Sequence, residues 1–421
     1  MTSGILGLFL TGAVFGQGTV GETATKRPET PVSGAAHAGL RVLDEFMLGF
    51  MHRHDIPGGA LAVSYKGRLV YDRGFGYADV EQKTPARPTS LFRIASISKP
   101  FTAVAVLQLV EQGKLSLDDK VFDLLDLKPF GERSVEPRFK KVTILHLLQH
   151  RGGWNRVSEF DPMFRSHVIA EEAGHEGPAK PWDIIRYMAA RKLQFEPGEY
   201  YSYSNFGYCL LGRVIERVSK TGYAEFVKES VLKPVGIRHM RIGATLAKGR
   251  LPDEVRYYGQ DRHKARSVFA SSKARSVPWE YGGFYLEAMD SHGAWLARAS
   301  DLLRFACDFD DPEKSKLLKP ASIEQMFARP PGYAGSTKDG RPRTAFYACG
   351  WSIARGTQDH GGSLPGTTTK LMRRSDGIHW AVLLNSRRDA KGKRIHPDHV
   401  QGELQRLIAR ITKWPDRDLF H

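Results

Sequence analysis

Long apolar runs are missing from this chain of 421 residues, and so are the motifs that announce a bound cofactor. No stretch reaches the roughly eighteen apolar residues that a membrane-spanning helix needs. There is no Gly-x-Gly-x-x-Gly turn for a dinucleotide, no Walker loop for a nucleotide phosphate and no Gly-x-Ser-x-Gly elbow. Cysteine is scarce: Cys209, Cys307 and Cys349 are an odd number at wide spacings, which excludes a disulfide framework and a metal knuckle. Acidic residues are short too, 46 Asp and Glu against 62 Lys and Arg, for a net charge of +16. The basic residues are spread out, with only brief clusters such as Lys391-Gly392-Lys393-Arg394. No zinc-finger, RRM-like or helix-turn-helix pattern goes with them, so the surplus reads as a solvated basic surface and not as a nucleic-acid footprint.

What is present suits a globular protein: 41% hydrophobic and 26% charged residues can bury a substantial core. The start carries an apolar stretch from Ile5 to Phe15, followed by a polar tract of small residues. That order matches a secretory leader and linker over 1–36, although no Lys or Arg precedes Ile5. It points to a secreted or periplasmic protein, with the cytoplasm as the alternative. Leu40, Leu43, Met47, Phe50 and Met51 then fall at helical spacing. Strand-like runs at 59–65 and 68–76 flank Lys66-Gly67 as a tight hairpin. From Ser96 to about Phe309 helical patterns dominate. Strands return at 347–355, 367–375 and 378–386, before a closing helix with Leu404, Leu407, Ile408 and Ile411 on one face. Strands at both ends predict an α/β (α+β) fold: one sheet built from the two ends of the chain, with a helical insertion beside it.

The informative string is Arg93-Ile94-Ala95-Ser96-Ile97-Ser98-Lys99-Pro100-Phe101. Ser96 and Lys99 are three apart, so on a helix they share a face and the lysine nitrogen reaches the hydroxyl. A lysine stripped of water loses its proton and becomes a base for serine. Pro100 is tolerated only in a first turn, which places Ser96 at a helix start, where free backbone amides favour a developing oxyanion. Spacing alone favours a helix cap over a nucleophile. The same spacing recurs at Ser230-Val231-Leu232-Lys233, inside a helix ending at Pro234, and there Ser230 reads as structural.

Two further runs change the balance. Tyr203-Ser204-Asn205 stands directly before an apolar helix. Alone it is a cap with a packed tyrosine; beside a Ser-Lys pair the phenol can relay protons, and Asn205 can hold the lysine and a substrate carbonyl. His360-Gly361-Gly362-Ser363 lies ahead of a strand, where its glycines allow close backbone approach to a ligand and expose the Ser363 amide. On its own it fits a glycine-rich turn with a surface histidine equally well. Lys220-Thr221-Gly222 closes a helix, with Gly222 as its C-cap, and is set aside. His146 and His150 have a zinc-compatible spacing, yet no glutamate lies between them and no third ligand follows, so packing or capping is their expected role.

Together these motifs resemble the serine β-lactamase-like hydrolases, which group class C β-lactamases, DD-peptidases, D-aminopeptidases and family VIII carboxylesterases. The likeness runs in order from Leu40 to Arg387, through GGALAVSYKGRLVYDRGFGYAD, LFRIASISKPFTAVAVLQLVEQGKLSLDDKV, VTILHLLQHRGGW, FEPGEYYSYSNFGYCLLGRVIERVS and HGGSLPG. Residues 155–180 and 326–346 fit it less well. The resemblance implies an antiparallel sheet flanked by helices, with a helical second domain. The hydrolase domain would span 37–414, its sheet subdomain at 37–95 and 311–414 and its helical subdomain at 96–310. It also implies Ser96 as the acylated nucleophile, Lys99 as its base and Tyr203 as partner acid and base. Asn205, His360, Gly362 and Ser363 would meet the substrate, the amides of Ser96 and Ser363 forming an oxyanion hole. No metal or organic cofactor is implied.

Class C β-lactamases carry Lys-Thr-Gly where this chain has His360-Gly361-Gly362. A histidine there is similar to DD-peptidases, D-aminopeptidases and many esterases, and it supplies a positive charge only when protonated. The expectation is an acyl pocket without a fixed cation. The expected activity is then a serine hydrolase that cleaves a small carboxylic ester, or a D-amino-acid amide or peptide, with slow turnover of β-lactams. The alternative is a non-catalytic penicillin-recognising or other binding module, or a weak β-lactamase. Retention of all three motifs argues against the module.

Overall fold

Alternation along the strands sets the layers. In Ile378–Leu384, Trp380, Val382 and Leu384 face one apolar layer while Ala381 and Leu383 face another. In Gly58–Tyr65, Leu61 and Val63 join the first layer and Ala60 and Ala62 the second. Strands that are apolar on both faces must be covered on both. A computed structural model describes residues 30–259, 264–269 and 276–420; the leader-like segment up to residue 29 lies outside the described residues. Among those described, no helix is long and apolar enough to cross a membrane.

Among the described residues the main sheet has nine strands. In chain order its principal members are β1 (Val32–Ser33), β2 (Gly58–Tyr65), β3 (Arg68–Asp79), β4 (Ala345–Tyr347), β5 (Ser352–Ala354), β6 (Thr357–Leu364), β7 (Thr367–Arg374) and β8 (Ile378–Leu384). They pair antiparallel in the order β1-β3-β2-β8-β7-β6-β5-β4, and Thr84–Pro85 adds to β3 off this path. The join between β2 and β8 closes one sheet from the two ends of the chain. Lys66 and Gly67 both have positive φ (49° and 78°), the geometry of the two-residue hairpin expected there.

The helices that matter here are α1 (Arg41–Arg53), α2 (Ser98–Glu111), α3 (Ile144–Leu148), α4 (Asn205–Ser219), α5 (Ala299–Cys307) and α6 (Pro397–Ile408). Phe50 of α1 and Leu404 and Ile408 of α6 bury the first face of the sheet, against Trp380. The second face is covered by α5, whose Phe305 stacks on Phe101 of α2 at 4.0 Å. Beyond α2 lies α4, the core of the helical part.

The structure moves several expected boundaries. Val32 and Ser33, assigned to the linker, pair with Phe75 and Gly74 as an edge strand. Helix α5 packs on β2 and β8, outside the helical insertion. The chain beyond residue 414 returns to the sheet, where the Leu419 N–H donates to the Leu69 carbonyl at 2.8 Å. The run at 347–355 breaks into β4 and β5 at Gly350, and His360 to Ser363 lie within β6 instead of a turn ahead of it. The last helix ends at Ile408, so Ile411 lies past it.

Trp380 is fully buried between β2 and the terminal helices. Trp380→Ala should lower unfolding stability by about 3–5 kcal/mol, as large-to-small core changes do. The check is the urea midpoint at unchanged slope; a shift of under about 1 kcal/mol would show that the first layer is not a packed core.

Candidate active site

The site starts from a buried arginine. The Arg93 guanidinium donates to the carbonyls of Glu280 (2.8 Å) and Ala244 (2.9 Å) and lies 4.2 Å over the Tyr257 ring. Two threonines of β7 then fix the next carbonyls: Thr367 Oγ1 donates to Arg93 and Thr369 Oγ1 to Ile94, each at 3.0 Å. A Cβ on Gly362 of β6 would meet the Ile94 carbonyl oxygen at 2.2 Å and Thr369 Oγ1 at 2.1 Å, so only glycine lets β6 come this close. Ala95 takes a left-handed φ of 49°, which costs a non-glycine residue about 1–2 kcal/mol. The result is a sharp turn in which, of residues 91–100, only Ser96 is not buried.

Ser96 caps nothing. Helix α2 begins at Ser98, and neither it nor the turn Ala95–Ile97 takes a side-chain cap. The Ser96 hydroxyl instead lies 3.2 Å from Lys99 Nζ and hydrogen-bonds with Tyr203. Lys99 is fully buried, and Nζ also donates to Asn205 Oδ1 (2.9 Å) and to the His292 carbonyl (3.1 Å). Burial holds its pKa well below the ordinary lysine value; Arg156 pushes the same way and Asp161 opposes. A neutral amine has two hydrogens and one lone pair. Asn205 Oδ1 and the His292 carbonyl can only accept, so they take both hydrogens and the lone pair is left for the Ser96 proton.

Ser204 caps α4, accepting from the Gly207 N–H at 3.2 Å, which frees Asn205 to turn its amide toward Lys99. The Asn205 Nδ2 donates to Asp161 at 2.7 Å. Burial raises the pKa of the Tyr203 phenol, against its hydrogen bond with Ser96 and the charge of Arg156, so it holds its proton. Beneath it lies His150, its ring centroid 4.2 Å from that of Tyr203 and its Nδ1 accepting the Ser204 N–H at 3.2 Å. His150 is thus part of the floor of the site. His146 is a cap, exchanging hydrogen bonds with Thr143.

His360 is 4% exposed. Its Nδ1 lies 2.8 Å from its neighbour's carbonyl, Gly361 O, which can only accept, so Nδ1 carries the proton. Its Nε2 then accepts from the Tyr347 hydroxyl at 2.9 Å. Burial first, and Lys99 second, push its pKa down to about 3. His360 is therefore neutral and orients Tyr347.

Above these groups opens a cleft of about 780 Å³ lined by Ser96, Tyr203, Asn205, His360, Gly362 and Ser363, with Lys99 just beneath. Arg156, Arg343, Arg387 and Arg394 line it as well. The expected absence of a fixed cation is thus overturned: histidine carries no charge, but arginines from other segments do. Arg394 reaches Ser363 Oγ at 3.2 Å. Sequence reasoning missed Arg156, Asp161, His292, Tyr347 and Arg394. Arg156 and Asp161 lie where the family likeness is poorest, and His292 contributes a backbone atom that no side chain advertises.

The decoys fall elsewhere. Lys233 pairs with Glu229 at 2.5 Å, away from Ser230, whose carbonyl accepts from Gln108. Lys220, exposed at φ 60°, is itself the left-handed residue closing α4, in place of Gly222. Cys307, Asp310 and His379 cluster closely enough to suggest a metal site. His379 Nδ1 accepts from the Arg374 N–H, so its proton sits on Nε2 and goes to Asp310 Oδ1 at 2.7 Å. Arg373 also pairs with Asp310, and burial raises the Cys307 thiol to about 12, so this donor set does not fit a metal.

The family model described as Beta-lactamase matches residues 43–403, and the chain belongs to this family of hydrolases. It is 30% identical over 348 residues to penicillin-binding protein 4* of Bacillus subtilis (strain 168), covering 80% of this chain and 69% of that one. Among solved structures it is similar to the octameric penicillin-binding protein homologue from Pyrococcus abyssi, with a TM-score of 0.67, 26% identity and coverage of 88% of this chain and 77% of that one. It shares the fold of the D-amino acid amidase from Ochrobactrum anthropi SV3 at a TM-score of 0.63 and 20% identity, covering 87% and 98% of the two chains. The mixed helical and antiparallel-sheet fold of these neighbours matches the expected class.

The neutral state of His360 has a consequence for stability. Its folded pKa of about 3 lies below the unfolded value near 6.5, so the unfolded chain binds the extra proton as pH falls through that window. The native state loses stability there on this residue's account. His360→Gln should therefore lose less urea resistance than the unaltered protein between pH 7 and pH 5. An identical loss in both would mean that His360 is protonated in the folded state.

Proposed function

We propose that the protein is a serine hydrolase that works through an acyl-enzyme on Ser96 and cleaves a carboxylic ester or a D-amino-acid-containing amide. The observation that carries this reading is the buried Lys99 Nζ, 3.2 Å from Ser96 Oγ and flanked by two groups that can only accept, Asn205 Oδ1 and the His292 carbonyl. Ser96 Oγ attacks the substrate carbonyl while Lys99 takes its proton. The oxyanion forms beside the backbone amides of Ser96 and Ser363. In an antiparallel ladder the hydrogen-bonded pairs alternate. With Leu364 and Thr367 flanking the two-residue turn as one such pair, Ser363 turns its N–H away from β7 and toward the cleft. Tyr203, protonated and bonded to Ser96, gives its proton to the leaving alkoxide or amine and recovers one from Lys99. Water then attacks the acyl-Ser96 ester by the reverse proton route, releasing the acid.

Ser96→Ala should abolish both hydrolysis of a short-chain p-nitrophenyl ester and mass labelling by a fluorophosphonate, and Ser230→Ala should change neither. Tyr203→Phe should lower kcat by at least about a hundredfold. Labelling that maps to Ser230 would refute the site, and full activity in Tyr203→Phe would return that phenol to packing.

The cleft's cations bear on substrate choice. Arg394 has Ser363 Oγ as its hydrogen-bond partner and stands among other positive charges, Arg156 and Arg388. An ester carrying a carboxylate should gain from it. Arg394→Ala should raise KM for such an ester by about fivefold relative to a neutral one, the scale of a partly exposed ion pair of about 1 kcal/mol. The difference should shrink at high salt. Equal changes for charged and neutral esters would remove Arg394 from substrate binding.

A further inference from the structure

One of the two segments that follow the family pattern less well, 155–180, delivers a carboxylate to the neighbourhood of Lys99. Asp161 is largely buried, its side chain 15% exposed. One of its oxygens accepts the N–H of Met163 at 3.1 Å, and the other accepts Asn205 Nδ2 at 2.7 Å. Arg156 of the same segment lies 3.7 Å from that second oxygen and extends over the Tyr203 ring at 4.5 Å. On the far side of this wall is a second cavity of about 380 Å³, lined by Trp154, Phe160, Asp161 and Asn205 among others.

A primary amide can be flipped at little steric cost, and the two orientations are opposite in chemistry. With its oxygen toward Lys99, Asn205 accepts a hydrogen from the amine and leaves the lone pair for Ser96. With its NH2 there instead, Asn205 would donate into that lone pair and quench the base. A carboxylate only accepts, so Asp161 admits only the first orientation; the flipped amide would face two oxygens toward each other.

We propose that Asp161 is a positioning residue that fixes the amide of Asn205 oxygen-first toward Lys99, and so keeps the lysine lone pair aimed at Ser96. This role rests on the serine hydrolase reading above. Asp161 acts through Asn205 and does not touch the reacting atoms.

Its charge gives a second readout. The groups facing the Asp161–Lys99 pair are Arg156 from the same loop, Tyr203 ahead of α4, and His150, His292 and His360, whose pKa values burial lowers. Asp161 favours the ammonium form of Lys99, against burial and Arg156. Removing its charge must lower the Lys99 pKa further. The free amine then persists to lower pH, and the acidic limb of the acylation profile moves the same way.

The test is the rate of fluorophosphonate labelling of Ser96, read by intact mass from pH 4 to 9, in the unaltered protein, Asp161→Asn and Asp161→Leu. Both variants should move the acidic limb to lower pH. Asp161→Leu, which cannot accept at all, should lose about a hundredfold at the optimum, the order that misplacing a reacting group costs. Asp161→Asn, which can still offer Asn205 one oxygen, should lose less than about tenfold. An unmoved limb in Asp161→Asn overturns the role even if Asp161→Leu fails to fold, and so does full-rate labelling by Asp161→Leu. No labelling of Ser96 in the unaltered protein overturns the hydrolase reading, and this role with it; labelling of Ser96 that ignores Asp161 overturns the role alone.

Discussion

A lysine amine with no access to water governs this structure. Lys99 is enclosed by α2, by Asn205 at the head of α4 and by the His292 carbonyl, and none of these can offer it a full counter-charge. Burying an ammonium without a bonded carboxylate is costly, and giving up the proton relieves that cost. The carboxylate of Asp161 is one amide away and engaged with Arg156. The same desolvation keeps the Tyr203 phenol protonated and His360 neutral. One physical cause thus leaves a free amine, a protonated phenol and a neutral imidazole side by side.

Holding that amine against a serine requires two parts of the fold to meet closely. The turn before Ser96 is fastened to β7 through Thr367 and Thr369, and β6 slides against it because Gly362 has no side chain. Helix α4 comes from the other side, its cap on Ser204 releasing Asn205 for the site. The sheet joins the two ends of the chain at β2 and β8, so β6 and β7, placed late in the sequence, are in position to grip a turn placed early. The left-handed Ala95 is tolerated because the two carbonyls before it, of Arg93 and Ile94, are held by Thr367 and Thr369, far away in sequence.

Much of this was legible from residue order, for identifiable reasons. The hairpin at Lys66-Gly67 and the helix from Asn205 are local: turn chemistry and a cap followed by apolar periodicity specify them. Ser96, Lys99 and Tyr203 stood out as candidates because a nucleophile, a base and a proton relay need those functional groups, and the fold brings the three together. What stayed hidden depends on distant packing. The fixed cations of the cleft come from segments such as 156 and 394, far apart in sequence, and the basic cluster at 391–394 read only as solvated surface. His360 read as a switchable charge because nothing near it in sequence announces Tyr347 or the depth of its burial. His150 read as packing, and packs; that its aromatic neighbours are Tyr203 and Tyr347, and so the floor of the site, depends on the fold.

The central claim is the protonation state of one side chain, and it can be measured without knowing any substrate. Nuclear magnetic resonance of the protein with isotope-labelled lysine, with Lys99 assigned by its absence in Lys99→Met, follows the Nζ and Cε shifts through a pH titration. The account predicts that Lys99 titrates well below the roughly 10.4 of an exposed lysine and is a free amine at pH 8. A Lys99 signal that remains that of an ammonium through pH 10, alongside the surface lysines, would contradict it.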